Sequence, residues 1–326
     1  MKELELLLIF LTSLLLGYLS IWALRGRLLR FGVGGIDINK AEKPRIPEAG
    51  GMLLLPGIWA ITLSLLYFEF INPMAYLFIF TTTCFAAIGF FDDGFRLFKR
   101  SERWGGYLVK RALVLFALTL PFAYLNFGIF DPLFTIWGGV VIMISASLVN
   151  SFAGLNGWEV GSSLIILVGL STMALFSNVF TISLLALASM MAGSILALLL
   201  FNRYPARIFP GDSGTLLMGS SIGCIMPFID LWYFAIPLFL PHIYDIYLKL
   251  RTNPKDISQK KEKPYVLKEG VLEVPPSGKL DFAKRLMRLW GPAEEKRLVR
   301  RIWTIVLLNT AFWTILYMIV KGSLGG

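Results

Sequence analysis

The strongest constraint on the fold of this chain is the alternation of its positive charges with its apolar segments. Ten apolar runs have close to the length that a helix needs to cross about 30 Å of hydrocarbon. These runs are 6–24, 51–68, 74–91, 112–125, 134–149, 164–176, 180–201, 216–228, 231–248 and 302–320. Of the 31 Lys and Arg residues, 29 fall in every second gap between the runs. The pattern predicts an all-α polytopic membrane protein with about ten transmembrane helices.

The same alternation predicts an orientation in the bilayer. Cytoplasmic loops carry an excess of Lys and Arg, so we expect the odd-numbered gaps to be cytoplasmic and both termini to lie on the other side. A hydrophobic content of 56% and a mean hydropathy of +0.69 are high for a soluble chain. The net charge of +10 then reflects topology and attraction to anionic head groups and substrates. No nucleic-acid module is recognisable, so nucleic acid is not an expected partner.

The predicted organisation is a transmembrane bundle with one polar subdomain. Residues 1–248 form the first nine helices, 249–301 form a small cytoplasmic subdomain, and 302–326 hold the last helix. Residues 263–274 favour a hairpin that turns at Lys268-Glu269-Gly270. Residues 280–290 are amphipathic and basic, which is typical of a helix on the membrane surface or of an ordinary packing helix.

The first polar motif is the pair Asp92 and Asp93 at the end of the third apolar run. A carboxylate is unfavourable both at a helix C-terminus and beside an apolar phase, so something must compensate the pair. Successive helical residues point about 100° apart. We therefore expect one carboxylate to face inward and the other to meet Arg96 or solvent. A plain ion pair with Arg96 is the structural alternative.

The second motif runs from Asn150 to Gly161, and its glycines permit tight turns and close approach by a ligand. Carboxamides such as those of Asn150 and Asn156 can coordinate a hard cation or read a base edge. The alternative is a simple turn with Asn in left-handed conformations.

The third motif is 209–215, Phe-Pro-Gly-Asp-Ser-Gly-Thr, which leads into the eighth run. We expect Asp212 or Ser213 to be the N-cap of that helix. An Asp at a helix N-terminus can hold Mg²⁺ that a phosphate then shares. Asp and Ser also cap many helices that bind nothing.

All three motifs fall in odd gaps, together with Lys110, Arg111 and the Lys-rich ninth gap. Acids, amides and cations on one face of a membrane protein predict a site for a polyanion with a divalent cation.

Several segments of the chain resemble one known family in the right order. They are 35–40 with 46–48, the pair 92–93, 150–161, 204–207 leading into 211–212, and 289–292. The chain is similar to the polyprenyl-phosphate N-acetylhexosamine-1-phosphate transferases, most of all to the dolichyl-phosphate branch that uses UDP-N-acetylglucosamine. The resemblance spans nearly the whole chain. It implies ten helices, an active site on the cytoplasmic face of the cell or endoplasmic reticulum membrane, and Mg²⁺ as cofactor with Mn²⁺ as a substitute.

The resemblance also implies a reaction. A sugar 1-phosphate would pass from a UDP-sugar to a polyprenyl or dolichyl phosphate in the bilayer, which releases UMP and leaves a sugar diphospholipid. This is the first membrane step of lipid-linked oligosaccharide synthesis for protein N-glycosylation, and the family implies sensitivity to tunicamycin. A homodimer is the expected candidate assembly.

Roles for individual residues follow from the same resemblance. Asn150 and Asp212 match Mg²⁺ ligands, Lys110 matches a phosphate contact, and Asp92 or Asp93 would orient the acceptor phosphate or accept its proton. Phe209 and Asn156 match positions that hold the uracil, with Glu48 as a further nucleoside-side candidate. Lys261 and Lys263 stand where the branch carries two arginines that grip the diphosphate.

Departures from the family pattern separate its branches. Many bacterial relatives have Asp where this chain has Ala153 and a His-rich ninth gap, whereas His242 is the one histidine here. This favours the eukaryote-like branch over the muramyl-peptide branch. The alternatives are the same transfer with another UDP-N-acetylhexosamine for envelope glycans, and a transporter of a lipid-linked sugar. A transporter would place charges and broken helices at the bilayer midplane.

Overall fold

The computed structural model describes residues 2–72, 75–95, 104–128, 131–177, 182–251, 265–275 and 280–324. The helices are α1 Lys2–Arg30, α2 Gly50–Tyr67, α3 Ala75–Phe95, α4 Trp104–Ala123, α5 Pro132–Ser151, α6 Trp158–Leu175, α7 Ile182–Asn202, α8 Gly211–Ile225, α9 Leu240–Arg251, α10 Phe282–Trp290 and α11 Glu295–Leu324. The strands are β1 Gly34–Ile36, β2 Arg45–Pro47, β3 Val266–Lys268 and β4 Val271–Glu273. The described chain is therefore mostly helical, as the apolar runs predict.

Eight of the described helices, α1 to α7 and α11, are long and apolar enough to cross a bilayer. This confirms the polytopic membrane architecture but not the predicted count of ten. The eighth run forms α8, which is only 15 residues long, and a 3₁₀ turn at Met226–Phe228 that contains Pro227. The ninth run breaks into two 3₁₀ turns and α9, a 12-residue helix. Proline at 227, 237 and 241 explains these breaks, because it removes a backbone donor and clashes with the preceding turn.

The odd-numbered gaps gather at one end of the bundle, called here the polar end. The amide of Phe209 donates to the carbonyl of Pro47 at 2.8 Å, and that of Asn156 donates to Oε1 of Glu295 at 2.8 Å. Lys249 Nζ reaches the carbonyl of Ser151 at 2.5 Å. These contacts join the first, fifth, seventh and ninth gaps, so the segments that the charge pattern assigns to one face do lie together.

Helix α8 lies in the middle of the bundle, and every residue from Ser213 to Ile225 is buried. It packs through small residues. A Cβ at Gly219 would lie 2.5 Å from Cα of Ala146, and one at Gly51 of α2 would lie 2.4 Å from Cα of Gly214. Small residues let membrane helices approach backbone to backbone. The start of α8 is thereby fixed against its neighbours.

Two hairpins add to the bundle at the polar end. β1 pairs antiparallel with β2 inside the first gap, which the sequence did not predict. β3 pairs antiparallel with β4 through the predicted turn at Lys268-Glu269-Gly270. Leu272 of β4 also forms a β-bridge with Ala293, just before α11. The hairpin is thus docked beside the start of the last helix.

Helix α10 packs against the elements of the polar end. Phe282 is buried, and its ring lies 5.4 Å from that of Phe152, between centroids. Asp245 of α9 accepts a hydrogen bond from the amide of Phe282 at 2.7 Å. Leu289 and Trp290 remain exposed at its far end. The amphipathic segment at 280–290 therefore forms a helix whose buried side packs on the bundle.

Helix α11 spans the bundle from the polar end to the opposite end. It begins at Glu295, ahead of the predicted span at 302–320. At its other end, Tyr317 donates to Oδ1 of Asp230 at 2.6 Å, and Lys321 pairs with the same carboxylate. One continuous helix therefore ties both ends together.

Candidate active site

A cleft of about 240 Å³ opens at the polar end between the first, fifth and seventh gaps. Five residues predicted from the sequence line it, namely Glu48, Asn150, Asn156, Phe209 and Asp212. The structure therefore brings together side chains that lie up to 164 positions apart in the chain.

The centre of the cleft is the contact between Asn150 and Asp212. Asn150 lies in the last turn of α5, and Asp212 lies in the first turn of α8. Nδ2 of Asn150 is 2.8 Å from Oδ1 of Asp212 and 2.7 Å from Oγ1 of Thr215. The amide and the carboxylate proposed as partners in metal binding are thus adjacent, on the same side of the bundle.

The start of α8 is capped from another helix. Oδ1 and Oδ2 of Asp93 accept hydrogen bonds from the amides of Asp212 and Ser213, at 3.0 and 3.3 Å. The expectation that Asp212 or Ser213 is itself the N-cap is wrong, because α8 begins earlier, at Gly211. The free amides of a first helical turn need acceptors, and a carboxylate there also offsets the helix dipole.

Two glycines permit this arrangement. Gly211 has φ +64°, and a Cβ there would lie 2.4 Å from Oδ2 of Asp93. Gly89, one turn before Asp93 on α3, would place a Cβ 2.4 Å from the carbonyl of Asp212. Any side chain at either position would push α3 and α8 apart.

Arg111 of α4 joins two of the carboxylates. Its Nη2 is 2.9 Å from Oδ2 of Asp212, and its Nη1 is 3.7 Å from Oδ2 of Asp92. Asp93 faces inward and holds α8, as expected for one of the pair, and Asp92, whose side chain is 10% exposed, meets Arg111. Arg96, the partner expected for the second carboxylate, lies outside the described part of the chain. We call Asp92, Asp93, Arg111, Asn150 and Asp212 the carboxylate cluster.

The predicted phosphate contact, Lys110, lies one position away from Arg111 on α4, and its side chain is exposed. From the sequence, both residues are expected at the site as cations, but only Lys110 has a predicted role. Arg111 lies on the same side of α4 as the buried residues Leu115, Thr119 and Phe122, which follow it at helical spacing. This spacing is the feature that identifies Arg111 as the inward-facing cation. Because α4 is apolar on all sides, the sequence does not distinguish its lipid-facing from its protein-facing side.

Two of the nucleoside-side candidates, Glu48 and Phe209, lie together in the cleft. A Cβ at Gly35 of β1 would be 3.3 Å from both Oε2 of Glu48 and Cδ2 of Phe209. Burial, and secondarily the negative charge of Asp212, raise the pKa of the Glu48 carboxyl above its usual range. An apolar ring beside a carboxyl suits a flat polar heterocycle, which can stack on the ring and hydrogen-bond to the carboxyl.

Asn156 is held by a second polar network. Its Nδ2 donates to Oδ2 of Asp37 at 2.9 Å, and its amide donates to Glu295. Lys40 pairs with Glu295 and lies 3.4 Å from Oδ2 of Asp37. We call Asp37, Lys40, Asn156 and Glu295 the loop latch, because it joins the first gap, the fifth gap and α11. Sequence reasoning did not assign a role to Asp37, Lys40 or Glu295.

The donor set of the cleft fits a hard divalent cation. A carboxylate and an amide 2.8 Å apart can both offer oxygen to one ion, since the amide carries an oxygen as well as its NH₂ group. Among the described residues no group of three or more His, Cys, Asp and Glu side chains has metal-binding geometry. Such a site suits Mg²⁺, which keeps several waters and takes phosphate oxygens beside one or two protein ligands.

The remaining predicted residues, Lys261 and Lys263, lie outside the described part of the chain. Their expected grip on a diphosphate stays a prediction.

The chain is similar to known glycosyl transferases. Residues 75–229, which include Asp92, Asp93, Asn150 and Asp212, match glycosyl transferase family 4. A protein of Saccharolobus solfataricus that bears the name UDP-N-acetylglucosamine–dolichyl-phosphate N-acetylglucosaminephosphotransferase is 31% identical, over 89% of this chain and 94% of its own. A glycosyltransferase of Methanocaldococcus jannaschii is 31% identical over 83% of each chain. A phospho-N-acetylmuramoyl-pentapeptide-transferase of Chlamydia pneumoniae is 28% identical over 58% of this chain and 61% of its own.

Proposed function

Since the chain belongs to glycosyl transferase family 4, among its polyprenyl-phosphate N-acetylhexosamine-1-phosphate transferases, we propose that it is a UDP-sugar transferase acting on a lipid phosphate. It transfers N-acetylglucosamine 1-phosphate from UDP-N-acetylglucosamine to a polyprenyl phosphate of the dolichyl type. The products are a sugar diphospholipid and UMP. This reaction opens lipid-linked oligosaccharide synthesis.

The observation that carries the proposal is the contact of Asn150 with Asp212 inside a cleft that Phe209 and Glu48 also line. A nucleoside diphosphate has a heterocycle at one end and two charged phosphates at the other. The cleft offers a ring and a carboxyl beside oxygen ligands for a cation.

The chemistry requires two anions to approach each other. An oxygen of the acceptor phosphate forms a bond to the β-phosphorus of the UDP-sugar, and the bond between the α- and β-phosphates breaks as UMP leaves. Most of the catalysis then comes from neutralising charge and holding the reacting groups in line. The cationic groups of the polar end serve this purpose.

Mg²⁺, or Mn²⁺ in its place, is the proposed cofactor, with Asn150 and Asp212 as its protein ligands. When bound, the ion withdraws charge from the diphosphate and aligns it. Asp93 holds the first amides of α8 and so fixes Asp212. Asp92, which is paired with Arg111, is the carboxylate left to orient the acceptor phosphate, and a proton acceptor is unnecessary because that phosphate is already largely ionised near neutral pH.

The proposed location of the site is the cytoplasmic leaflet of the membrane. The gaps that form the polar end hold 29 of the 31 Lys and Arg residues, and such loops stay in the cytoplasm. The acceptor lipid then reaches the cleft from the bilayer, and the UDP-sugar reaches it from the cytosol.

The test is turnover by the purified protein with a panel of UDP-sugars, Mg²⁺ and a short polyprenyl phosphate, with UMP and the lipid product followed by mass spectrometry. We expect product with UDP-N-acetylglucosamine, loss of product with EDTA, and inhibition by tunicamycin. Product with another UDP-N-acetylhexosamine alone would move the function to envelope glycan synthesis. Uptake of a lipid-linked sugar without release of UMP would indicate a transporter and refute the proposal.

A further inference from the structure

Asp212 has both carboxylate oxygens engaged by neighbouring side chains. Oδ1 accepts from Nδ2 of Asn150 at 2.8 Å, and Oδ2 accepts from Nη2 of Arg111 at 2.9 Å. A divalent cation that takes Asp212 as a ligand needs at least one of these oxygens.

The two partners of Asp212 differ in what they can do beside a cation. An amide presents either its NH₂ group or its oxygen, so Asn150 can turn from hydrogen-bond donor to ligand. A guanidinium has donors only and carries a full positive charge. Arg111 and a divalent cation therefore exclude each other from Oδ2 of Asp212.

Arg111 has a second carboxylate within reach. Its Nη1 lies 3.7 Å from Oδ2 of Asp92, which is on α3 rather than α8. The side chains of Arg111 and Asp92 are only 14% and 10% exposed, so water and salt screen this attraction weakly. A guanidinium displaced from Asp212 would stay in the site and keep one edge for an incoming phosphate.

We propose that Arg111 competes with the divalent cation for Asp212, and that Asp92 retains the guanidinium when the cation takes its place. Arg111 is in this sense a positioning residue that sets the affinity of the metal. The inference rests on the proposed function, because it uses the same Asp212 as metal ligand.

The competition has a functional consequence. The cation alone must displace an ion pair and binds weakly, whereas a cation that arrives with a diphosphate brings additional ligands and a second partner for the guanidinium. Metal and UDP-sugar then bind with positive coupling, and each raises the affinity of the other by the same factor.

The experiment measures Mn²⁺ binding to the purified full chain by electron paramagnetic resonance, with and without UDP-N-acetylglucosamine. In Arg111→Met we expect Mn²⁺ alone to bind at least about tenfold more tightly than in the wild type, and the coupling to the UDP-sugar to shrink. Arg111→Lys keeps the charge but loses the fork that reaches both carboxylates, so we expect an intermediate affinity. Lys268→Met is the control, because it removes a positive charge at the same end of the bundle from a surface pair with Glu273 that does not line the cleft, and it should change the Mn²⁺ affinity less than twofold.

The outcomes separate this inference from the proposed function. Unchanged or weaker Mn²⁺ binding in Arg111→Met would overturn the competition, as would equal tightening in Lys268→Met. If the wild type releases UMP and Asp212→Ala loses Mn²⁺ binding while Arg111→Met fails to tighten it, only the competition fails. If the wild type binds no Mn²⁺ and needs none for UMP release, the metal assignment fails as well. Unfolding midpoints in EDTA identify a variant that has simply lost its fold, in which case Arg111→Lys decides alone.

Discussion

The carboxylate cluster and the loop latch are built from similar groups at the same end of the bundle, yet their carboxylates are exposed to different degrees. In the loop latch, Lys40 pairs with the carboxylates of Asp37 and Glu295. The side chain of Asn156 donates to Asp37, and its backbone N–H donates to Glu295. In the carboxylate cluster the guanidinium of Arg111 contacts the carboxylates of Asp92 and Asp212, and the side chain of Asp212 is 27% exposed. A network of buried groups holds loops in place, whereas a carboxylate that is open to a cleft can take a further cation. The contrast predicts that a substitution in the loop latch lowers stability, whereas a substitution in the carboxylate cluster lowers activity.

The largest effect on that contrast should come from Asp212→Ala. Removal of the carboxylate at the centre of the cluster should lower Mg²⁺-dependent release of UMP by about 10³-fold or more, since an electrostatic group aimed at developing charge is lost. The protein should still fold, because the amides at the start of α8 keep their acceptor in Asp93. Turnover assays and thermal unfolding on the same preparation check both statements. Retained turnover would remove Asp212 from the metal site.

A smaller effect, on both stability and activity, is expected from Gly89→Ala. A methyl group 2.4 Å from the carbonyl of Asp212 forces α3 and α8 apart. We expect a loss of about 1 to 3 kcal/mol in stability and a drop in turnover of about tenfold or more, because Asp212 shifts. Gly26→Ala on α1 is the control, since a Cβ there meets nothing within 4 Å. Equal behaviour of the two variants would show that the contact of α3 with α8 is not tight.

Lys40→Met tests the loop latch directly. It leaves Asp37 and Glu295, whose side chains are 4% and 3% exposed, without their shared cation. We expect a loss of about 2 to 4 kcal/mol in stability, a raised KM for the UDP-sugar through Asn156, and little change in kcat. Adding Glu295→Gln should recover part of the stability, which a double-mutant cycle measures.

The matched control for the loop latch is a pair at the surface. Lys268 and Glu273 are 64% and 34% exposed, so Lys268→Met should cost less than about 0.5 kcal/mol. Should Lys40→Met prove equally mild, the loop latch would be no more than a surface ion pair.

The smallest expected effect is a change in the pH dependence of stability from Glu48→Gln. Burial raises the pKa of Glu48, so the folded state binds the proton more tightly than the unfolded chain does. The contribution of Glu48 to stability is then fully present below the ordinary pKa of a glutamate and is lost as the pH rises through the raised pKa. In EDTA the variant should match the wild type near pH 4 and unfold at a higher temperature above neutral pH. If Glu48→Gln instead unfolds at a lower temperature than the wild type above neutral pH, the ionised Glu48 carboxylate stabilises the fold and the expected direction is wrong.

The sequence predicted the membrane bundle, the common end of the odd gaps, the hairpin at Lys268-Glu269-Gly270 and five residues of the cleft. These features follow from charge asymmetry, turn chemistry and motifs with specific residues. It did not predict the capping of α8 by Asp93 or the position of Arg111, because both depend on which sides of α3 and α4 face their neighbours. In lipid both sides of such a helix are apolar, so periodicity carries little information there. The loop latch was missed because its members are far apart in sequence, as with Lys40 and Glu295.

The path of α11 has a practical consequence for anyone who labels or crystallises this protein. Tyr317 and Lys321 anchor its far end on Asp230, while Glu295 supports the backbone of Asn156 roughly 40 Å away, at about 1.5 Å per residue. A stiff rod fixed at both ends transmits load. A fluorophore, an affinity tag or a fusion protein joined rigidly to the last turn of α11 would therefore disturb the cleft at the opposite end of the bundle. A flexible linker at that position would avoid the disturbance.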